Sequence, residues 1–155
     1  MDIQVIAIGQ KMPAWVDEAC DQYRNRVTGQ CSLRFQSLPA RKRGKGADIS
    51  RIIREEGSSL LNAVPSRSHT IALEREGKVI DSKKLATVLD RCLMEGLGLV
   101  FLIGGPEGLS DDCQQQADEI WSLSALTLAH PVARVVLAEQ IYRAWSMLNN
   151  LPYHR

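Results

Sequence analysis

The sequence predicts an α/β fold in which a mainly parallel sheet is flanked by helices. Short apolar runs alternate with longer amphipathic stretches along the 155 residues, which is the pattern of a parallel sheet covered by helices. Residues 99–103 are apolar at every position, as in a strand buried on both faces. The hydrophobic fraction of 45% and the charged fraction of 24% are those of an ordinary globular domain, so we expect one domain over residues 1–155.

The elements are predicted from these runs and from their boundary residues. Pro13 and Pro131 favour the first turn of a helix, and Asp48 and either Asp81 or Ser82 are suited to cap one. The predicted strands are residues 3–8, 33–38, 70–73, 99–103 and 121–123. The predicted helices are residues 13–27, 47–63, a segment after residue 81, 111–120 and 131–149, with turns at 76–78 and 104–108.

The last predicted helix is apolar on two sides. Val136 and Tyr142 belong to one side, whereas Leu137 and Ile141 belong to another. A helix on the surface of a domain needs only one apolar stripe. The helix is therefore covered either by the sheet and a partner subunit or, as a central helix, within the monomer.

Charge is concentrated in two basic segments, although the formal net charge is only +1. One segment is the loop at residues 41–45, and the other gathers cationic side chains near the C-terminus. Nucleic-acid binding by such a protein must depend on local patches. The C-terminal group consists of Arg134, Arg143, His154 and Arg155.

Several function classes are not indicated. The four cysteines are scattered without a Cys-x-x-Cys pair, so we expect reduced, structural cysteines and no metal site. No apolar run approaches the roughly 20 residues that span a bilayer, and nothing resembles a signal peptide. We therefore expect a cytoplasmic protein without a membrane partner.

Two segments follow strands and are suited to bind a ligand. The turn Gly104-Gly105-Pro106-Glu107-Gly108 lies at the carboxyl end of a buried strand, where ligands of open α/β sheets bind. It lacks the lysine and hydroxyl residue of a phosphate-binding loop. A valine at Gly105 is expected to intrude on a ligand there, although a plain tight turn explains the glycines equally well. Residues 123–128 are apolar with small hydroxyl side chains, which suits either an uncharged flat group or a short buried strand and turn.

These segments together resemble the ribosomal RNA large-subunit methyltransferase H family of the SPOUT class. The resemblance rests on Leu-Ile-Gly-Gly-Pro-Glu-Gly-Leu-Ser at residues 102–110 and on Trp-Ser-Leu-Ser-Ala-Leu-Thr-Leu-x-His-Pro at residues 121–131. Residues 11–16, 42–45, 134–145 and 152–155 also match, in order and in spacing. One position departs from the family pattern, because Leu151 stands before Pro152 where a histidine is expected.

The resemblance implies methylation at N3 of a pseudouridine in 23S ribosomal RNA within the ribosome, with S-adenosylmethionine as cofactor. It also implies a C-terminal trefoil knot, which composition does not indicate, and a homodimer whose active site lies at the subunit interface. The cofactor-binding residues that the resemblance implies are Leu73, Gly104, Gly105, Leu123, Ser124, Ala125, Leu126, Thr127 and Leu128.

Five residues near the C-terminus are candidates for binding the RNA or for catalysis. Arg134 shares a helix face with His130, and these residues either line the active site or form a helix cap and a surface arginine. Arg143 is four residues from Glu139, a possible ion-pair partner, but by resemblance it is also an RNA contact. Tyr153, His154 and Arg155 could hold a base and a phosphate. Either His154 accepts the N3 proton or an arginine stabilises the developing anion.

Two other functions remain open from the residues alone. One is a ribosome-associated RNA-binding module without catalysis, in which the glycine turn is structural. The other is a small-molecule nucleotide-binding protein that uses the same pocket. The sequence leaves open whether mature ribosomes, free large subunits or naked RNA would be the substrate.

Overall fold

The fold is built on a five-stranded parallel sheet. The computed structural model describes the backbone of residues 1–154 and the side chains of residues 1–153. The predicted α/β class is confirmed, and every pairing between strands of this described part is parallel. The strands are β1 (Asp2–Ile8), β2 (Ser32–Leu38), β3 (Ser68–Val79), β4 (Gly98–Ile103) and β5 (Glu119–Ser122), in the order β2-β1-β4-β3-β5. The helices are α1 (Ala14–Arg26), α2 (Ile49–Ala63), α3 (Ser82–Glu95), α4 (Asp111–Gln116) and α5 (His130–Leu148), followed by a 3-10 turn at Pro152–His154.

Helices cover both faces of the sheet. Val5 and Phe101 point to one face, where they belong to the core shared with α3 and α5. Ile6 and Leu102 point to the other face and pack with Leu60 of α2. The central strands β1 and β4 are buried on both sides over residues 5–8 and 99–103, and these runs are therefore apolar without alternation.

Helix α5 lies between α1 and α3 on one face of the sheet. Leu137 and Ile141 are fully buried against the sheet, and Ala138 packs against Cys20 of α1. The apolar residues on two sides of α5 are thus largely covered within the monomer. Val132, near the start of the helix, remains 40% exposed.

Helix starts follow the predicted caps. The Asp48 carboxylate accepts a hydrogen bond from the Arg51 backbone amide at 3.1 Å, and Asp81 accepts one from the Lys84 amide at 2.8 Å. Each bond satisfies a backbone donor that has no partner inside the helix. Of the two cap candidates for α3, Asp81 is the one used.

Strand β3 is longer than predicted, and the expected turn at residues 76–78 lies inside it. Leu73 and Lys78 both pair with Trp121 of β5, so the intervening residues form an irregular excursion. A Cβ on Gly77 would lie 2.5 Å from the carbonyl carbon of Trp121. The turn prediction was wrong because Gly77 allows the strand to approach β5 closely and then to resume its pairing.

Helix α4 ends four residues earlier than predicted, and β5 begins earlier. The Asp118 amide donates to the Thr70 carbonyl oxygen at 2.8 Å, and the Thr70 amide donates to the Asp118 carboxylate at 2.7 Å. Glu119 and Ile120 then pair with β3. Pairing with a strand distant in sequence therefore overrides local helical preference in this segment.

Candidate active site

Two loops start from strand ends that flank Leu73 of β3, at the carboxyl edge of the sheet. Leu73 of β3 pairs with Ile103 of β4 on one side and with Trp121 of β5 on the other. Gly104 follows Ile103 directly, and Leu123 lies two residues after Trp121. The strand register thus places Leu73 beside the starts of the other two segments predicted to bind a cofactor. They lie at the edge where open α/β sheets bind ligands.

The glycine turn, residues 104–108, folds back on itself. The Gly108 amide donates to the Gly105 carbonyl oxygen at 3.0 Å. A Cβ on Gly104 would lie 2.5 Å from the Gly108 backbone, and Gly108 itself has φ 87°. Close approach explains the first glycine and a left-handed conformation explains the last one.

Gly105 is packed against protein atoms, which corrects the expected effect of a valine at this position. A Cβ there would lie 2.8 Å from Arg43 Nη2 and 3.0 Å from Glu56 Oε1. A larger side chain would therefore displace Arg43 and Glu56 before it met any ligand.

Two carboxylates hold the glycine turn from its sides. Glu107 accepts from Arg43 Nη2 at 2.8 Å, and these hydrogen bonds lower the pKa of Glu107 and raise that of Arg43. Glu74, at the point where β3 leaves its first run of pairing, accepts a hydrogen bond from the Leu109 amide. The turn is thus fixed both to the basic loop and to the neighbouring strand.

The basic loop, residues 39–47, presents fewer cations to solvent than the sequence suggested. Arg41, Lys42 and Lys45 are exposed. Arg43 instead points inward, and its side chain is only 19% exposed between Glu56 and Glu107. An RNA-binding patch on this loop therefore consists of the other three cations.

Residues 123–128 form an irregular segment with its middle at the surface. The Ser122 hydroxyl donates to the Ser124 carbonyl oxygen at 2.8 Å, and the Ser124 hydroxyl accepts from the Leu126 amide at 2.9 Å. Leu123 and Leu128 are half-buried, whereas Leu126 is 76% exposed. Neither a buried strand nor a helix forms here, and residues 125–127 are exposed.

A cavity of about 260 Å³ lies beside Leu123, between α3, α5 and the sheet. Phe101 and Trp121 contribute to its apolar wall, and Asp81, Ser82 and Gln140 contribute polar groups. An apolar cavity with few polar groups is typical of sites for flat organic ligands. A larger cavity of about 400 Å³ lies at the amino-terminal edge beside Met1, away from these loops.

Arg134 is buried and joins three parts of the chain. Its guanidinium donates to the Gly9 carbonyl oxygen at 2.7 Å, to the Ser37 hydroxyl at 2.9 Å and to His130 Nε2 at 2.9 Å. With 4% exposure it is not a surface arginine, and within the described residues it forms no ion pair. Burial lowers the pKa of Arg134, which here ties the ends of β1 and β2 to the start of α5.

His130 connects Arg134 to the glycine turn. Burial, and then the Arg134 charge, lower the pKa of His130, while a hydrogen bond to the Gly104 backbone opposes this shift. A neutral ring with its proton on Nδ1 can donate to the Gly104 carbonyl and accept from Arg134 at Nε2. The predicted contact between residues 130 and 134 is confirmed, and it leads to Gly104.

Arg143 and Tyr153 contact each other and Glu139. Arg143 Nη2 lies 2.6 Å from Glu139 Oε1, which confirms the predicted pair, and the guanidinium carbon lies 5.0 Å from the Tyr153 ring centre. The Tyr153 hydroxyl donates to Glu139 at 3.1 Å, and burial raises its pKa to about 12. Tyr153 also packs edge-on against Tyr142, so it is an anchored residue and its ring is not free in solvent. The predicted roles of the His154 side chain and of Arg155 lie outside the described residues.

Comparison with known proteins assigns the family. Residues 1–154 match the family model described as a predicted SPOUT methyltransferase. The chain belongs to the SPOUT methyltransferase family. It is 48% identical over its full length to a protein of Thioalkalivibrio sulfidiphilus named Ribosomal RNA large subunit methyltransferase H, covering 99% of that protein. A protein of the same name from Methylococcus capsulatus is 44% identical over the full length of both chains.

Solved structures share the fold at low sequence identity. A probable methyltransferase from Bordetella pertussis Tohama I superposes with a TM-score of 0.60 at 16% identity, covering 92% of this chain and 93% of the other. A probable methylase family protein from Haemophilus influenzae gives a TM-score of 0.57 at 11% identity, covering 99% and 70%. At such identities the likeness shows the fold of this SPOUT methyltransferase and nothing of its substrate.

Neither a metal-binding cluster nor a membrane-spanning helix is present among the described residues. No group of three or more histidine, cysteine or acidic residues is arranged to hold a metal ion there. No helix in this part of the chain combines the length and apolarity needed to cross a membrane. The four cysteines are buried and unpaired, as predicted, and burial raises the pKa of each thiol.

Sequence reasoning missed the residues that hold the glycine turn in place. Glu56 and Glu74 read as ordinary helix and strand carboxylates, and Glu107 as part of a turn. The available signal was weak: Glu56 lies on the apolar side of α2, between Ile52 and Leu60 at helical spacing. A carboxylate on a buried helix face requires a cationic partner, but the sequence does not say which one.

Proposed function

We propose that this SPOUT methyltransferase transfers a methyl group from S-adenosylmethionine to N3 of a pseudouridine in 23S ribosomal RNA. The observation that carries the RNA substrate is the full-length similarity to proteins named Ribosomal RNA large subunit methyltransferase H, at 44–48% identity. The target base, pseudouridine, and the methylated atom, N3, are inferred from the resemblance of residues 102–110, 121–131 and 152–155 to that family.

The residues at the carboxyl edge fit S-adenosylmethionine. The apolar walls of the cavity beside Leu123 suit an uncharged flat ring such as adenine, and Leu123 is the one proposed cofactor-binding residue that lines it. Leu73 pairs with Ile103, the residue that directly precedes Gly104 and Gly105. When bound, the cofactor supplies a methyl group activated by a sulfonium, so the protein has to align it with the base nitrogen and exclude water.

Binding of the target base falls to the C-terminal end of the chain. Tyr153 is held by Glu139, Tyr142 and the Arg143 guanidinium. It therefore acts as an anchor that fixes where the last two residues begin. We assign contact with the base and loss of the N3 proton to His154 and Arg155. Either His154 accepts the proton, or an arginine stabilises the anion that forms.

Further proposals follow from composition, for the single domain and the cytoplasm, and from the same resemblance, for the knot and the homodimer. The chain acts as one domain in the cytoplasm, its C-terminal part forms a trefoil knot, and two copies form a homodimer with a shared active site. RNA docks on the exposed cations Arg41, Lys42 and Lys45 of the basic loop.

The test is a methyl-transfer assay with purified protein, labelled S-adenosylmethionine and three substrates: ribosomes, large subunits and naked 23S RNA. Substrates come from cells lacking the gene, so that the target position is unmodified. We expect one labelled nucleoside, identified by mass spectrometry as N3-methylpseudouridine, and a dimer by light scattering of the same sample.

Each other outcome contradicts a different part of the proposal. Ribosome binding without transfer indicates an RNA-binding module, and cofactor binding without RNA binding indicates a small-molecule protein. Label at another nucleoside would replace the assigned base, and a monomer that is fully active would exclude a shared active site.

A further inference from the structure

Arg43 makes more contacts than any other cation of the basic loop. All five of its N–H groups are used. Nη1 and Nη2 donate to the two Glu56 oxygens at 2.9 and 2.7 Å, Nη2 and Nε donate to Glu107, and Nη1 also donates to the Arg41 carbonyl oxygen at 2.8 Å. Only the planar fork of an arginine can form this set of bonds.

Glu56 makes this arrangement difficult to alter. Its residue is 3% exposed, and it also accepts from the Arg41 backbone amide at 2.9 Å. A carboxylate that is buried in this way is strongly destabilised without its cation. The position of Arg43 is therefore set by α2, and the loop is held at Arg41 and Arg43.

The same guanidinium lies directly against the glycine turn. A Cβ on Gly105 would be 2.8 Å from Arg43 Nη2. The Glu107 carboxylate of the turn accepts hydrogen bonds from two guanidinium nitrogens, Nε and Nη2. The Glu107 carboxylate of the turn and the Arg41 backbone carbonyl of the basic loop are thus bound to one planar group.

We propose that Arg43 is a positioning residue that couples cofactor binding at the glycine turn to RNA docking on the basic loop. This inference rests on the proposed function, since it takes the glycine turn as part of the cofactor site and Lys42 and Lys45 as RNA contacts. A cofactor that binds the glycine turn in the conformation held by Arg43 also favours the conformation of the basic loop that binds RNA. By thermodynamic linkage, RNA on the loop favours the cofactor by the same factor.

The experiment compares Arg43→Lys and Glu107→Gln with the wild type. Arg43→Lys keeps the charge and loses the fork, while Glu107→Gln keeps the size and removes one charge from the turn. The matched control is Arg51→Lys, which changes an exposed arginine with a single carboxylate partner, Glu55. Urea unfolding first confirms that each variant is folded.

Two affinities are then measured for each protein. Calorimetry gives the Kd for S-adenosylhomocysteine, a non-reactive cofactor analogue, and ribosome binding is measured with and without saturating analogue. In the wild type and in Arg51→Lys we expect the analogue to tighten ribosome binding by about fivefold or more. In Arg43→Lys and Glu107→Gln we expect weaker analogue binding. We also expect the ratio of the ribosome Kd without analogue to the Kd with analogue to be near one.

The outcomes separate this inference from the proposed function. If both variants are destabilised but keep the wild-type Kd and the wild-type ratio, the ion pairs are structural and the inference fails while the methyltransferase function stands. If Arg43→Lys does not fold, Glu107→Gln alone decides by the same two readouts. A wild type that neither binds the analogue nor transfers a methyl group overturns both proposals.

Discussion

Arg43 and Arg134 are both largely buried at the carboxyl edge of the sheet, but their surroundings have opposite electrostatic character. Arg43 lies between two carboxylates, and its hydrogen bonds to Glu107 and Glu56 raise its pKa. Arg134 lies among a carbonyl oxygen, a hydroxyl and an imidazole, and burial lowers its pKa. The first region is held by ion pairs and the second by hydrogen bonds to neutral groups.

The difference shows how one residue type is used for two purposes. A carboxylate partner compensates for removing the Arg43 charge from water, so this region is stable only while both partners are present. The Arg134 region has three hydrogen bonds to neutral groups, and the loss of one leaves the others. The glycine turn is in contact with both regions, through Glu107 and through His130.

The largest effect is expected from Glu56→Ala, which leaves Arg43 with one carboxylate and opens a space beside Gly105. We expect the free energy of unfolding in urea to fall by about 3–5 kcal/mol, as for a buried ion pair that loses one partner. Glu55→Ala is the control, because Glu55 forms only exposed pairs with Arg51 and Arg41 and should cost about 1 kcal/mol or less. Equal losses for the two variants would show that the Arg43 region behaves like surface.

A smaller effect is expected from Arg134→Met, which keeps the length and apolar stem of the side chain. The Gly9 carbonyl and the Ser37 hydroxyl lose a donor, and an unpaired buried polar group costs about 1–3 kcal/mol. Arg24→Met, at an exposed arginine paired with Asp21, serves as the control in the same urea titration. A loss for Arg134→Met as large as that for Glu56→Ala would remove the distinction between the two regions.

The smallest effect is a pH dependence that distinguishes the two regions. Burial lowers the pKa of His130 in the folded protein. Just below the unfolded value of about 6.5, the unfolded chain therefore binds more protons than the folded protein, and stability decreases as the pH is lowered. The pKa of Glu107 is lowered by Arg43, so its contribution is lost only below about pH 4.3. His130→Asn should flatten the stability curve just below pH 6.5, by less than about 1.4 kcal/mol per pH unit, and leave the acid limb unchanged.

Unfolding free energies of the wild type and of His130→Asn, measured side by side from pH 7.5 to pH 3, provide this test. Other titrating groups are common to both proteins and cancel in the difference. Coincident curves just below pH 6.5 would mean that His130 accepts a proton in the folded protein without penalty.

Features that depend on residues close together in the chain could be predicted from the amino-acid sequence alone. The strands and helices, the Asp48 and Asp81 caps and the pairs His130–Arg134 and Glu139–Arg143 follow from periodicity and from four-residue spacing, which fixes neighbours on a helix. The family resemblance placed the three cofactor segments at strand ends, and the sheet register agrees with adjacent starting points.

The pairing of distant charged groups, in contrast, depends on how the chain folds. Arg43 and Glu107 are 64 residues apart, and Arg134 reaches a carbonyl 125 residues away. No local pattern distinguishes Arg43 from the exposed Arg41 or Lys42, because the direction of a loop side chain depends on what packs beneath it. The continuation of β3 past Gly77 and the early end of α4 have the same cause, since both are set by pairing with a strand distant in sequence.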